Sequence, residues 1–137
     1  MQSTSICRFK ILMIFMLMLI CVASAIQASA QKSYPTINTE ELKSMLDKKE
    51  KLILIDSRTK PEYTEAHIVS SVNIPDKKLQ ENLNLLPADK NTMLIIYCNG
   101  VKCGKSKRLA QQLEPMGYVN IRIYLEGIPV WEERNLP

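Results

Sequence analysis

The sequence predicts an α/β fold: parallel strands in one sheet, with helices on both faces, in a single domain. Two apolar runs carry most of that prediction. Leu52-Ile53-Leu54-Ile55 and Met93-Leu94-Ile95-Ile96-Tyr97 show no polar alternation, as expected of strands covered on both faces. Segments with helical spacing separate the apolar runs, so strand and helix alternate along the chain. Sheets of this kind place their sites beyond the carboxyl ends of the strands.

The elements follow in order. Gln31 to Pro35 is a polar lead-in. Asn38, with Glu41 three residues later, has the spacing of a capping box. It opens a helix that continues through Leu42, Met45 and Leu46. The lysine-rich turn Lys48 to Lys51 ends that helix. The run Leu52 to Ile55 is a strand, with Asp56 at its carboxyl end. Pro61 suits the first turn of a short helix, Thr59 to Ala66. Val72 to Ile74 reads as a brief strand closed by Pro75. Asp76 to Leu86 reads as a helix with Leu79, Leu83 and Leu86 on one face. Met93 to Tyr97 is the second apolar strand, and Cys98 follows it directly. Lys105 to Met116 is helical, with Leu109, Leu113 and Met116 inward, and Gly117 ends it. Val119 to Tyr124 is the last strand. Gly127 breaks it, and Pro129 to Arg134 forms a terminal turn of helix.

The totals fit one ordinary domain. The chain has 137 residues, 46% apolar and 23% charged, with a net charge of +4 and four cysteines. That composition excludes a disordered chain and a membrane bundle. The charge is too small for a dedicated nucleic-acid binder, so no nucleic-acid partner is expected. The first thirty residues differ from the rest. Arg8 and Lys10 precede thirteen unbroken apolar residues, Ile11 to Ala23, and the small-residue sites Ala23-Ser24-Ala25 and Ala28-Ser29-Ala30 follow. This is the pattern of a cleavable secretory signal. The apolar run is short of the roughly 20 residues of a membrane span. The expectation is a signal peptide over residues 1–30 and a domain over 31–137, with cleavage after Ala30, or after Ala25 as the second choice. The product is periplasmic or secreted, with no stable membrane span after cleavage; an uncleaved anchor is the alternative. Removing residues 1–30 leaves a charge of +2 and two cysteines, Cys98 and Cys103.

Those two cysteines share the segment Tyr97-Cys98-Asn99-Gly100-Val101-Lys102-Cys103-Gly104-Lys105-Ser106. A cysteine at a strand end, then a glycine-bearing loop, then a helix, suits a nucleophile. Consecutive loop N–H groups form an anion nest. A helix N-terminus adds positive charge that lowers a thiol pKa. Lys102, Lys105, Lys107 and Arg108 follow, and no acid occurs between Asp89 and Glu114. The loop fits a thiolate and an anionic substrate. Residue types alone leave a buried structural cysteine beside a solvated basic helix as an equal reading.

Three motifs in order resemble the rhodanese-like family. Leu52 to Pro75 (LILIDSRTKPEYTEAHIVSSVNIP) resembles its signature, IIYCNGVKCGKS its active-site loop, and YLEGIPVWEERNLP its closing motif. The resemblance spans residues 34–137 and implies a single-domain sulfurtransferase. It places the sulfur-carrying cysteine at Cys98, which attacks a sulfane-sulfur or persulfide donor and holds the sulfur as a persulfide. A thiol or cyanide acceptor then removes it, and an exported protein is a possible partner. Loop N–H groups of Asn99, Gly100, Val101, Lys102, Cys103 and Gly104 stabilise the persulfide. Asp56 and Arg58 match a D-x-R position; a structural Asp56–Arg58 pair is the favoured reading, with Arg58 ordering the loop or meeting an anion as the alternative, and Lys102 and Lys105 add charge. His67 and Trp131 are read as structural.

The loop departs from the common C-x-x-G-x-R-S pattern. Gly100 comes one place early, Cys103 stands where the arginine would be, and Ser106 comes two places late. Ala66 and Ser70 replace the usual glycines around His67-Ile68. It resembles a variant subset with C-N-G-x-x-C loops in exported members. Cys103 raises a second expectation, a resolving thiol that attacks the Cys98 persulfide, releases sulfide and leaves a disulfide. A phosphatase of C-x5-R type is disfavoured, because Gly104 stands at the arginine position. A two-cysteine redox enzyme of the arsenate-reductase kind is a rival weakened by the same missing arginine. A non-catalytic rhodanese-like binding or regulatory module is the other rival. Cys98, Cys103 and a sequence-distant His67 are too few for zinc, so neither metal nor cofactor is expected.

Overall fold

The computed structural model describes residues 33–137. The segment read as an export signal, residues 1–30, lies outside the described residues. Five strands form one parallel sheet in the order β1-β5-β4-β2-β3: β1 Thr36–Ile37, β2 Leu52–Asp56, β3 Val72–Asn73, β4 Met93–Tyr97 and β5 Ile121–Tyr124. Four α-helices accompany it: α1 Thr39–Asp47, α2 Lys60–Glu65, α3 Lys105–Leu113 and α4 Gly127–Glu133. The central pair, β2 and β4, runs in register from Leu52 opposite Met93 to Asp56 opposite Tyr97.

Period-two alternation divides the strand side chains between two cores. Ile55, Leu94, Ile96, Ile121 and Ile123 pack with Leu109, Ala110 and Leu113 of α3 on one face. Leu54, Ile95, Tyr97 and Tyr124 pack with Leu42 of α1 and with Ile128 and Trp131 of α4 on the other. Both faces are covered, so neither central strand needs polar alternation. The expected three-layer α/β domain is the observed one.

Local signals held where a cap or a breaker is built into the chain. Asn38 caps α1: its Oδ1 accepts from Glu41 N–H at 2.8 Å, and its own N–H donates to Glu41 Oε2 at 3.0 Å. Pro61 lies in the first turn of α2. Gly117 closes the segment after α3 at φ +93°. Other boundaries differ. The lead-in is followed by a strand, β1, that the sequence reading did not foresee. Two residues are too few to show a period, and pairing to β5 creates this strand. The expected helix from Asp76 to Leu86 is a 3-10 segment, Leu79–Leu85, interrupted at Asn82. Leu79 is buried, but Leu83 is 39% exposed, because the interruption turns it off the face it was expected to share. The helix expected to reach Met116 ends at Leu113 and tightens into a 3-10 turn, Glu114–Met116, since Pro115 has no N–H to continue the ladder. β5 starts at Ile121, and Val119 is 74% exposed.

The carboxyl ends of β2 and β4 lie side by side. Ser57 joins them, donating from its backbone N–H and its Oγ to the Tyr97 carbonyl at 3.0 and 2.7 Å. From the other side the start of α4 presses on the segment after β4. Ile128 N–H donates to the Cys98 carbonyl at 3.0 Å. Gly127 has φ +68°, and a Cβ there would lie 2.3 Å from the Cys98 carbonyl oxygen and 2.5 Å from the Gly100 nitrogen. Only glycine allows both the left-handed φ and the approach. Gly127→Ala is therefore expected to cost about 2 kcal/mol or more, read from the urea midpoint. A loss under about 0.5 kcal/mol would show that the two segments separate freely.

Candidate active site

Cys98 stands at the carboxyl end of β4 and is 2% exposed. Its Sγ lies 3.3 Å from the Cys103 carbonyl oxygen, to which the thiol donates, and 3.4 Å from Ser106 Oγ. Ser106 is the second residue of α3, so the sulfur faces the helix's opening turn. Burial pushes the Cys98 thiol up, and the neighbouring Cys103 thiol pushes it further. Hydrogen bonds from the Ser106 side chain and backbone pull it down without offsetting the rise. The sequence reading expected the helix N-terminus to lower this pKa. The difference has a physical cause: desolvation penalises the thiolate, and the neighbouring Cys103 side chain adds to the rise.

The loop backbone is arranged around that carbonyl. Cys103 N–H donates to the Gly100 carbonyl at 2.9 Å, closing a turn. That N–H, counted in the expected anion nest, is spent within the turn. Gly100 makes the turn at φ +97°, with its Cβ position 3.1 Å from the Glu126 carbonyl oxygen. Glu126 is held in turn by Thr39, whose N–H donates to its carboxylate at 2.7 Å.

A chain of charged and amide groups runs along the flank. Asp56 is fully buried, and the Arg58 guanidinium grips its carboxylate, with Nη2 to Oδ2 at 2.7 Å. Arg58 Nη2 also donates to the Ala66 carbonyl at 2.5 Å, and Nη1 reaches Asn99 Oδ1 at 3.5 Å. Asn99 Nδ2 donates to Glu62 Oε1 at 2.6 Å. Lys105 Nζ donates to both Glu62 oxygens at 3.1 and 2.8 Å. Partial burial alone would raise the Glu62 carboxyl. Hydrogen bonds from Lys105, Thr59 and Asn99 outweigh it and hold the group at about 2.

The predicted residues thus fall in three places. Cys98, Asn99, Gly100, Cys103 and Gly104 come together in the loop, with Arg58 reaching it through Asn99. Asp56 lies behind, holding Arg58. The basic run divides: Lys105 pairs with Glu62 and Arg108 with Asp76, at 2.7 Å. Lys102 and Lys107 are exposed, with no ion pair among the described residues, and Val101 at the loop tip is 70% exposed. His67 stacks on Tyr63 and Trp131 is buried, as structural roles require. Ser106, Glu62 and Gly127 were missed. A basic residue followed by serine at a helix start was the signal for Ser106, displaced by two extra loop residues. The Thr59-x-x-Glu62 spacing marked a helix cap, and sequence could not show that the same carboxylate also clasps the loop.

The Rhodanese-like domain model matches residues 38–134. Thiosulfate sulfurtransferase PspE of Escherichia coli is 34% identical over 68 residues, covering 49% of this chain and 62% of that protein. Thiosulfate sulfurtransferase GlpE of Coxiella burnetii is 30% identical over 88 residues, covering 64% of this chain and 78% of that protein. The chain therefore spans less than two thirds of the length of the PspE relative. Among solved structures, a Bacillus halodurans protein aligns with a TM-score of 0.68 at 24% identity, covering 83% of this chain and 82% of that one. A single domain sulfurtransferase of Saccharomyces cerevisiae aligns at 0.63 and 21%, covering 75% and 92%. At those identities the structural likeness shows the fold alone. With a family match that runs from the cap of α1 to the end of α4, the chain belongs to the rhodanese-like domain family.

Proposed function

We propose that this chain is an exported sulfurtransferase that carries sulfane sulfur on Cys98. The observation that carries the reading is the seat of Cys98: a thiol at the carboxyl end of the central strand, met by Ser106 at the mouth of α3. In the first half-reaction the Cys98 thiolate attacks the outer sulfur of a donor. With thiosulfate, the S–S bond breaks and sulfite leaves with the electron pair. With a persulfide, a thiolate leaves instead. In the second, an acceptor thiol or cyanide attacks the outer sulfur and Cys98 leaves as thiolate. Each step is a sulfur exchange, and no cofactor takes part. Lys102 and Lys107 are the cations left to draw in an anionic donor, since Glu62 neutralises Lys105. Export rests on residues 1–30, and a further exported protein is the natural acceptor where no small thiol serves.

Intact-mass measurement tests the reading. Protein recovered from expressing cells is expected to begin at Gln31, or at Ile26. Directly after a brief thiosulfate or polysulfide pulse, before any discharge, it is expected to gain about 32 Da, one sulfur on a thiol. Cys98→Ser should gain none and lose essentially all transfer to cyanide. A Cys98→Ser protein that still acquires the adduct overturns the assignment.

The pH dependence has a definite sign. The thiolate is the nucleophile, and burial raises the Cys98 pKa. The thiolate fraction therefore keeps rising above the ordinary thiol value of about 8.5. Iodoacetamide labelling of Cys98 is expected to accelerate with pH and to show no plateau at pH 8.5. A plateau below neutral pH would contradict the buried, protonated thiol.

A further inference from the structure

We infer that Cys103 discharges the Cys98 persulfide from within the loop, so that the protein also reduces sulfane sulfur and releases it as sulfide. This rests on the reading that Cys98 carries a persulfide. Three observations carry it.

Reach comes first. The Cys103 carbonyl oxygen lies 3.3 Å from Cys98 Sγ. Standard backbone dimensions then put the Cys103 Cα at most about 5.7 Å from that sulfur. A disulfide needs its Cα atoms roughly 4.4–6.8 Å apart and its sulfurs at bonding distance, so forming one asks only for a rearrangement of the short turn that carries Cys103. Both cysteines are free thiols, and Cys103 is among the groups that raise the Cys98 thiol.

The second observation is how the loop is held. Its flanks are pinned: Asn99 by Glu62 and Arg58, Lys105 by Glu62, and Gly100 by the Glu126–Gly127 backbone. Between them, Cys103 rests on one backbone bond, its N–H to the Gly100 carbonyl. The thiol that must move sits on the least restrained part of the loop.

The third is the polarity around the sulfur. A loop built to store a persulfide anion would point N–H groups at it. Here the Ser106 hydroxyl and backbone N–H donate, but the Cys103 carbonyl dipole also faces Sγ at close range. An anion held against a carbonyl is disfavoured, which favours discharge over storage.

The step balances. The Cys103 thiolate attacks Cys98 Sγ, the inner sulfur. The Cys98–Cys103 S–S bond forms and the bond to the outer sulfur breaks. That sulfur leaves with the electron pair as hydrosulfide, carrying the proton Cys103 gave up. The sulfane sulfur is reduced, and the two cysteines are oxidised to a disulfide. An external dithiol then restores both thiols and becomes a disulfide itself. Cys103 is the more exposed cysteine, which leaves it open to that reductant.

The test uses the full chain, Cys103→Ser and Cys103→Ala, with matching melting curves as the check on folding. Each is pulsed with polysulfide, desalted and followed by intact mass and sulfide release. The unaltered chain is expected to release about one sulfide per loaded site without added reductant and to end two hydrogens lighter, with a Cys98–Cys103 cross-linked peptide. Both variants should keep the sulfur adduct at least ten-fold longer and release sulfide only when a dithiol is added. Equal adduct lifetimes in all three proteins would overturn the resolving role and leave sulfur transfer by Cys98 standing. Failure of all three to take up sulfur would overturn the transfer reading itself, and this inference with it.

Discussion

The site depends on one backbone contact, the seating of Gly127 against the Cys98–Gly100 segment. Two chain segments meet there at a distance that no side chain tolerates. The Ile128 N–H bond to the Cys98 carbonyl fixes the direction in which Cys98 leaves β4. The contact also couples distant parts of the chain. Tyr124 and Trp131 meet edge to face beneath it, and Glu126 ties it to the first turn of α1. The closing motif of the sequence thus serves the loop directly, although it contributes no group at the sulfur.

Around that contact the electrostatics divide into two layers. Beneath the loop, the Asp56–Arg58 pair is removed from water, and its remaining polar atoms are satisfied by backbone and amide partners. A buried pair of this kind gains little net stability over apolar packing, but loss of one partner is costly. Its main consequence here is geometric, because Arg58 holds both Ala66 and Asn99. Above it, Glu62 collects Asn99 and Lys105 into a clasp half open to water. The basic run therefore presents only part of its formal charge, since two of its four cations are already paired.

The sequence shows the fold class through its core. Strands buried on both faces must be apolar at every position, so β2 and β4 could be read directly. Asn38 and Pro61 carry their structural meaning in their own side chains and were equally readable. Failures came where partners are remote. β1 exists only as a ladder on β5, and the 3-10 segment is broken at Asn82 without Pro or Gly to announce it. At the site, Cys98 and Cys103 were visible because reactive side chains declare their chemistry. Ser106 and Glu62 were not, because each looks like an ordinary helix-start residue.

By itself, then, the sequence determined which thiols exist, where the two central strands run and which cations follow Cys98, since composition and local period are properties of the chain alone. The tertiary structure decided the state of those groups. It turned a thiol expected to be acidic into a buried and protonated one, because burial outweighs the helix terminus. It spent two of the four cations on carboxylates brought in from α2 and from the segment after β3. It aimed the Cys103 carbonyl at the Cys98 sulfur. Desolvation and pairing arise only when residues far apart in the chain meet, which is why no reading of spacing could supply them.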